Sequence, residues 1–184
     1  MKQTIRTDEI IHVTHPISVP SILQNGLIPN YREGLTINEE TDFLNEILNK
    51  HRPGNIKLDR TECVFLLFKR DYLQHKHTEK FLSVDMRGID TTKTSVFSNS
   101  VLTGIRKAIQ FNSDEQIIKD ICTLYWNSIV PFPIFFDKHD EIVRLWDRQI
   151  ANQNIQPFPY GPEILYFGKI KPEFISYESS SRKG

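Results

Sequence analysis

The chain has 184 residues, 39% of them hydrophobic and 12 of them Phe, which suits one domain with a sizeable core. Its 23 basic and 23 acidic side chains cancel, so no global positive field marks a nucleic-acid binder, and such contact would need a local groove. Cys63 and Cys122 both sit in apolar runs, which argues against a disulfide framework or a zinc site and predicts two reduced core thiols. The N-terminal MKQTIRTDEI lacks the apolar segment of a secretory signal. No stretch approaches the roughly 20 apolar residues of a membrane span. A cytoplasmic protein with no membrane partner is the expectation, with export by a route lacking a signal peptide left open.

In chain order, Ile10 to Thr14 reads as a strand and Ser18 to Asn25 as a short helix, with Ser18 as N-cap and Gly26 as its stop. Asn38 to Lys50 spaces Phe43, Leu44, Ile47 and Leu48 helically after an acidic start, and HRPGN then breaks the pattern. Cys63 to Phe68, CVFLLF, is a continuous apolar run, the signature of a strand buried on both faces. Phe81 to Asp85 and Ser95 to Phe97 are further strand candidates. Asp114 to Val130 reads as a long helix with Ile117, Ile118, Ile121, Leu124 and Tyr125 on one side, ended by Pro131. Asp137 to Ala151 is another helix, and the loop NQNIQPFPYGP leads into strands at Glu163 to Gly168 and Phe174 to Tyr177. This non-alternating order predicts an α+β fold with a largely antiparallel or split sheet over residues 1–184, not a doubly wound one. Neither a GxGxxG nor a P-loop motif occurs.

Two stretches carry chemistry. In a strand, His12 and Thr14 project to one face and Val13 to the other, so an imidazole and a hydroxyl look the same way. That pair suits gripping a ribose or an amide, and equally suits the polar outer face of an edge strand. Glu163 opens a late strand directly after a loop bearing Phe158 and Tyr160. A carboxylate there can orient a nucleophile or stabilise a cationic transition state, or be an ordinary exposed glutamate. The two aromatics can stack on a base or pack on the sheet edge. His51, His75, His77 and His139 lie among charged residues and read as solvated, while Trp126 and Trp146 read as core. No third ligand accompanies the His75-x-His77 pair, so no metal is expected.

The opening H-x-T-H followed by I-L-x-x-G-L, and the closing PEILYFGKIKPEFI, resemble the ADP-ribosyltransferase superfamily, and within it the DarT-type DNA ADP-ribosyltransferase toxins. The middle stretches KTSVFSNSVL and FNSDEQI fit that pattern loosely, so the likeness runs from about Ile11 to Ile175. The run RTECVFLLF departs from the family's D-Y-V-P-F-Y-F strand in lacking its Pro and Tyr. The resemblance implies a split β-sheet with inserted helices and NAD as co-substrate in a cleft between the half-sheets. His12 and Thr14 match positions that grip NAD at its nicotinamide side, and Glu163 matches the catalytic glutamate. The family's arginine upstream of the first buried strand matches Arg52 by distance or Arg60 by closeness to the strand, with Arg52 preferred. Phe158 and Tyr160 fall where the acceptor binds.

The implied activity is transfer of ADP-ribose to a nucleobase of single-stranded DNA, by a toxin or defence effector with an antitoxin as a possible partner. Protein, RNA or a small molecule as acceptor, and a non-catalytic nucleotide-binding module of the same fold, are the alternatives. Two further expectations follow: His12 and Thr14 share a cleft with Glu163, and Glu163→Ala leaves folding intact.

Overall fold

A computed structural model describes residues 10–29, 39–73, 81–152 and 161–177. Strands β1 (Ile10–Val13), β2 (Val64–Phe68), β3 (Phe81–Val84), β4 (Thr94–Ser98), β5 (Val130–Pro131), β6 (Pro162–Tyr166) and β7 (Ile175–Tyr177) form a single sheet. Its order is β5-β4-β6-β2-β1-β3-β7, and every pairing is antiparallel. Helices α1 (Val19–Asn25), α2 (Glu39–Lys50), α3 (Lys69–Leu73), α4 (Ser100–Gln110), α5 (Glu115–Asn127), α6 (Phe132–Asp137) and α7 (His139–Ala151) fall between the strands. The α+β, largely antiparallel expectation therefore holds. No described helix is long and apolar enough to cross a membrane.

Local chemistry explains most element ends. His15, not Ser18, starts the first helical segment: its Nδ1 accepts from the Ile17 amide, opening a 3-10 turn over Pro16–Ser18 that runs on into α1. The predicted stop at Gly26 is real, with φ +84, a conformation open to glycine. Asp114 caps α5 by accepting from the Gln116 amide. On α5, Tyr125 is buried and Ile118, Ile121 and Leu124 pack against the core, whereas Ile117 is exposed. Helix α4 was not expected from the sequence, although Val101, Leu102, Ile105 and Ala108 are buried at helical spacing.

The register sorts the core. Leu67 opposes Glu163, which opposes Phe97, and Ile11 opposes Leu67, so these four share one face. Tyr125 of α5 stacks on Phe97 there, with ring centroids 4.9 Å apart. Leu66, Ile164 and Val96 make the next row, on the opposite face. On that face Phe68 stacks on Phe132 and Phe135 of α6 at 6.0 and 5.5 Å, and Phe135 stacks in turn on Trp146 of α7. The Trp126 indole donates to the Leu48 carbonyl at 2.8 Å, tying α5 to α2. Trp126 and Trp146 are both core, as the sequence predicts.

One junction is thin. β1 pairs with β3 through four residue pairs and β2 with β6 through four, but β1 pairs with β2 only at Ile10↔Phe68 and Ile11↔Leu67. Beyond Ile11 the two strands part, so the sheet has a fork beside His12.

Gly26 fixes the packing of α1 onto the strand side of the molecule, because Leu27 bridges Ile170 directly after it. A Cβ at Gly26 would sit 2.2 Å from the Ile170 carbonyl oxygen, at a φ that an L side chain rarely adopts. Gly26→Ala is expected to destabilise the fold by about 2 kcal/mol or more, read as a drop in the urea unfolding midpoint.

Candidate active site

The site begins with a turn. Asp59 accepts from the Thr61 amide at 2.8 Å, the Thr61 hydroxyl at 2.6 Å and the Asn49 side chain at 2.8 Å. These donors, the Thr61 hydroxyl first, hold the Asp59 carboxyl below its ordinary pKa. The 3-10 turn Arg60–Glu62 that follows is thereby fixed, and the Arg60 side chain leaves it inward. Asn45 and Asn49 lie one turn apart on α2, and both engage Arg60: Asn45 Oδ1 accepts from Nε at 2.9 Å and Asn49 Oδ1 from the backbone amide at 3.3 Å.

Arg60 ends on Glu163. Its Nη1 donates to Glu163 Oε1 and to the Tyr125 hydroxyl, and its Nη2 reaches Glu163 Oε2 at 3.5 Å. The Tyr125 hydroxyl donates to Glu163 Oε1. The guanidinium lies between two rings, 5.0 Å from the Phe65 centroid and 4.9 Å from that of Tyr125. Burial opposes the Arg60 cation, but the facing Glu163 carboxylate and Tyr125 outweigh it and raise its pKa. Tyr125 is held well above its ordinary value, chiefly by burial, so it stays a donor. The Cys63 thiol donates to the Arg60 carbonyl at 3.2 Å, and burial pushes it up to about 12, far from a nucleophilic thiolate. Cys122 is likewise pushed up to about 12 by burial.

This arrangement corrects two expectations. Glu163 is only 5% exposed, because β6 is flanked by β2 and β4 and α5 covers that face. Its removal would leave the Arg60 charge buried without its carboxylate, so Glu163→Ala is a destabilising change and not a neutral one. The arginine that the structure brings to Glu163 is Arg60. Arg52 donates instead to the Leu58 carbonyl, lies 4.0 Å from Asp59, and its side chain is 28% exposed.

His12 is also placed differently from the expectation of a shared cleft. The row through Glu163 contains Ile11, so His12, the next residue of β1, projects from the other face, opposite Leu82. Its imidazole leans into the fork, where Nδ1 donates to the Phe65 carbonyl at 2.9 Å. Burial lowers its pKa, against the raising effect of that bond, so the ring is neutral near pH 7 with the proton on Nδ1. Nε2 is then an acceptor, with no hydrogen bond among the described residues. The link between His12 and Glu163 is indirect and runs through Phe65, whose backbone His12 holds and whose ring lies over Arg60.

Thr14 lies past the end of β1, half-buried and without a side-chain hydrogen bond among the described residues. His15 serves as a helix cap. Phe158, Tyr160, His75 and His77 lie outside the described residues. His139 is not solvated: 13% exposed, it sits edge-on to Phe68 and Phe135, with Nε2 3.2 Å from Asp71 and Nδ1 2.8 Å from Asp140. Among the described residues no cluster of three or more His, Cys, Asp or Glu is placed to hold a metal ion.

Sequence reasoning missed Asn45 and Tyr125. Tyr125 was read as part of an apolar helix face, which it is, and its hydroxyl has no sequence signature. For Asn45 a signal exists: it lies between Leu44 and Leu48, both buried, so a polar residue falls on the inward side of α2. No family model, no curated protein and no solved structure matches the chain.

Glu163→Ala is expected to destabilise the protein by about 3–5 kcal/mol, since one partner of a buried pair is removed. Glu163→Gln, which keeps an acceptor for Arg60 and Tyr125, should lose less, and urea unfolding of both variants orders them.

His12 gives a pH dependence whose sign is fixed by its lowered pKa. The folded state disfavours the proton, so its contribution to stability is present above about 6.5, the ordinary value, and is lost as pH falls through the folded pKa. The loss per unit of pH is at most about 1.4 kcal/mol. His12→Asn retains a donor for the Phe65 carbonyl but does not titrate, and its stability should fall less between pH 7 and pH 5 than that of the unmodified protein. Equal losses in the two proteins would contradict the assignment.

Proposed function

We propose that the chain is an NAD-dependent ADP-ribosyltransferase that modifies a nucleobase of single-stranded DNA, acting in the cytoplasm as a toxin or defence effector, with an antitoxin as its natural partner. The observation that carries the reading is the Arg60–Glu163 pair in the middle of an antiparallel sheet, beside the strand fork at His12. The residues that the motif resemblance singles out at the two ends of the chain, His12 and Glu163, are joined through Phe65. The fork supports an ADP-ribosyltransferase-like split into half-sheets β5-β4-β6-β2 and β1-β3-β7. In this reading Arg60 takes the arginine role.

His12 and Glu163 each carry a group suited to part of NAD, although they project from opposite faces of the sheet and meet only through the fork at Phe65. The neutral His12 Nε2 is an acceptor suited to a carboxamide N–H or a ribose hydroxyl. Bound NAD supplies a nicotinamide–ribose bond whose cleavage builds positive charge on the ribose. Glu163 offers a carboxylate against that charge, and in a site screened from water such stabilisation is strong. Arg60 Nη1 and Tyr125 occupy Oε1 while Oε2 carries only the 3.5 Å contact from Arg60 Nη2, so in this reading Oε2 is the oxygen that would meet a substrate. Thr14 lies just beyond β1, and the resemblance makes Phe158 and Tyr160 the candidates for contacting the acceptor base.

The burial of Glu163 supports a second reading. A carboxylate 5% exposed and engaged by Arg60 and Tyr125 is what a purely structural ion pair requires, and the chain is then a non-catalytic nucleotide-binding module. Incubation with NAD and single-stranded oligonucleotides, RNA and lysate protein separates the two. The enzymatic reading expects free nicotinamide and a mass gain of one ADP-ribose on DNA. Gain on RNA or protein alone moves the acceptor and keeps the enzyme. Absence of both nicotinamide and adduct leaves only the binding module. Glu163→Gln is expected to lower nicotinamide release by about 100- to 1,000-fold, as loss of a preorganised charge contact does.

A further inference from the structure

The Arg60–Glu163 contact is asymmetric, and the asymmetry has a visible cause. A guanidinium facing a carboxylate ordinarily grips both oxygens with two parallel hydrogen bonds. Here Oε1 receives both Arg60 Nη1 and the Tyr125 hydroxyl, while Oε2 has only Nη2 at 3.5 Å. The Tyr125 hydroxyl spends its one proton on Glu163 and accepts from Arg60. Its ring cannot easily shift, being stacked on Phe97 at 4.9 Å and set edge-on to Trp126 at 5.4 Å. On the far side of the guanidinium, Asn45 takes Nε at 2.9 Å and fixes the angle at which the two Nη groups meet the carboxylate.

We propose that Tyr125 and Asn45 are positioning residues that hold the Arg60–Glu163 pair off its symmetric geometry and so keep Oε2 as the working oxygen; this rests on the transferase reading given above. Without the Tyr125 hydroxyl, Arg60 relaxes to a two-pronged grip and Oε2 is taken up by Nη2. The carboxylate stays in place, but Oε2, held in the unmodified protein only by the 3.5 Å contact from Nη2, is then fully engaged by Arg60. The expected signature is a loss in the chemical step with substrate binding unchanged.

Tyr125→Phe tests this, because it keeps the ring contacts with Phe97, Trp126 and Arg60 and removes only the oxygen. With nicotinamide release from NAD as the readout and a thermal melt to establish folding, kcat should fall by about 10- to 100-fold, the range that small misplacement of a reacting group costs. KM for NAD should stay within about 2-fold of the unmodified protein. A kcat equal to that of the unmodified protein, or a loss confined to KM, overturns the proposal while the transferase reading stands. No nicotinamide release from the unmodified protein overturns the transferase reading, and this proposal with it. If Tyr125→Phe does not fold, Asn45→Leu decides: it removes the acceptor of Arg60 Nε at similar volume, and the same split between kcat and KM is expected. An unchanged kcat in folded Asn45→Leu refutes the positioning role.

Discussion

Two opposite charges, on Arg60 and Glu163, are taken out of water at the centre of this protein, and much of its architecture is what that requires. Desolvating an ion pair costs several kcal/mol per ion, and the cost is offset only when the remaining donors and acceptors are also satisfied. The chain meets this condition from four directions. Asn45 comes from α2, Tyr125 from α5, Glu163 from the interior strand β6, and Arg60 from a turn locked by Asp59. The Phe65 and Tyr125 rings close over the guanidinium and keep solvent away. Helices far apart in sequence are thus held in one arrangement by a polar network, and the apolar core fills in around it.

The second organising feature is the strand fork. A regular sheet would continue the β1–β2 ladder past Ile11, but a side chain takes over there, and the His12 imidazole satisfies the Phe65 carbonyl. A backbone acceptor near a gap needs some partner, and a neutral histidine supplies one while keeping a second nitrogen available. The same residue therefore closes the backbone's requirement and leaves a polar group at the fork. Its tautomer is dictated by structure, since a carbonyl can only accept.

Much of the framework was legible in the sequence, for identifiable reasons. CVFLLF reads plainly as a strand because it is apolar throughout and lies between β1 and β6, but its burial alternates: Val64, Leu66 and Phe68 are buried, Phe65 and Leu67 only partly, so the expectation of full burial on both faces is corrected. Gly26 was legible because a left-handed stop leaves a glycine, and the start of α5 because the apolar period begins just after Asp114. The site was legible only at its ends. Glu163 and His12 stand out by type and position, but the choice between Arg52 and Arg60 depends on which way a loop turns, and the turn is set by Asp59 with Thr61 and Asn49. Which face of β1 His12 occupies depends on pairing register, and a shift of one residue exchanges the faces. His139 misled for a related reason: its sequence neighbours are charged, but its spatial neighbours include Phe68 and Phe135.

The thin junction between β1 and β2 also bears on how the molecule is divided. Sheets transmit stability through their ladders, and inside this one the β1–β2 ladder, two residue pairs with one imidazole bond, is shorter than the ladders of four or five pairs beside it. On one side lies β5-β4-β6-β2 with the buried ion pair; on the other lies β1-β3-β7, which reaches the sheet edge. That junction passes outside the charged network, whose residues come from α2, the Arg60 turn, α5 and β6. The boundary between the two half-sheets thus crosses only two residue pairs and the His12 bond, and the charged network lies wholly on one side of it.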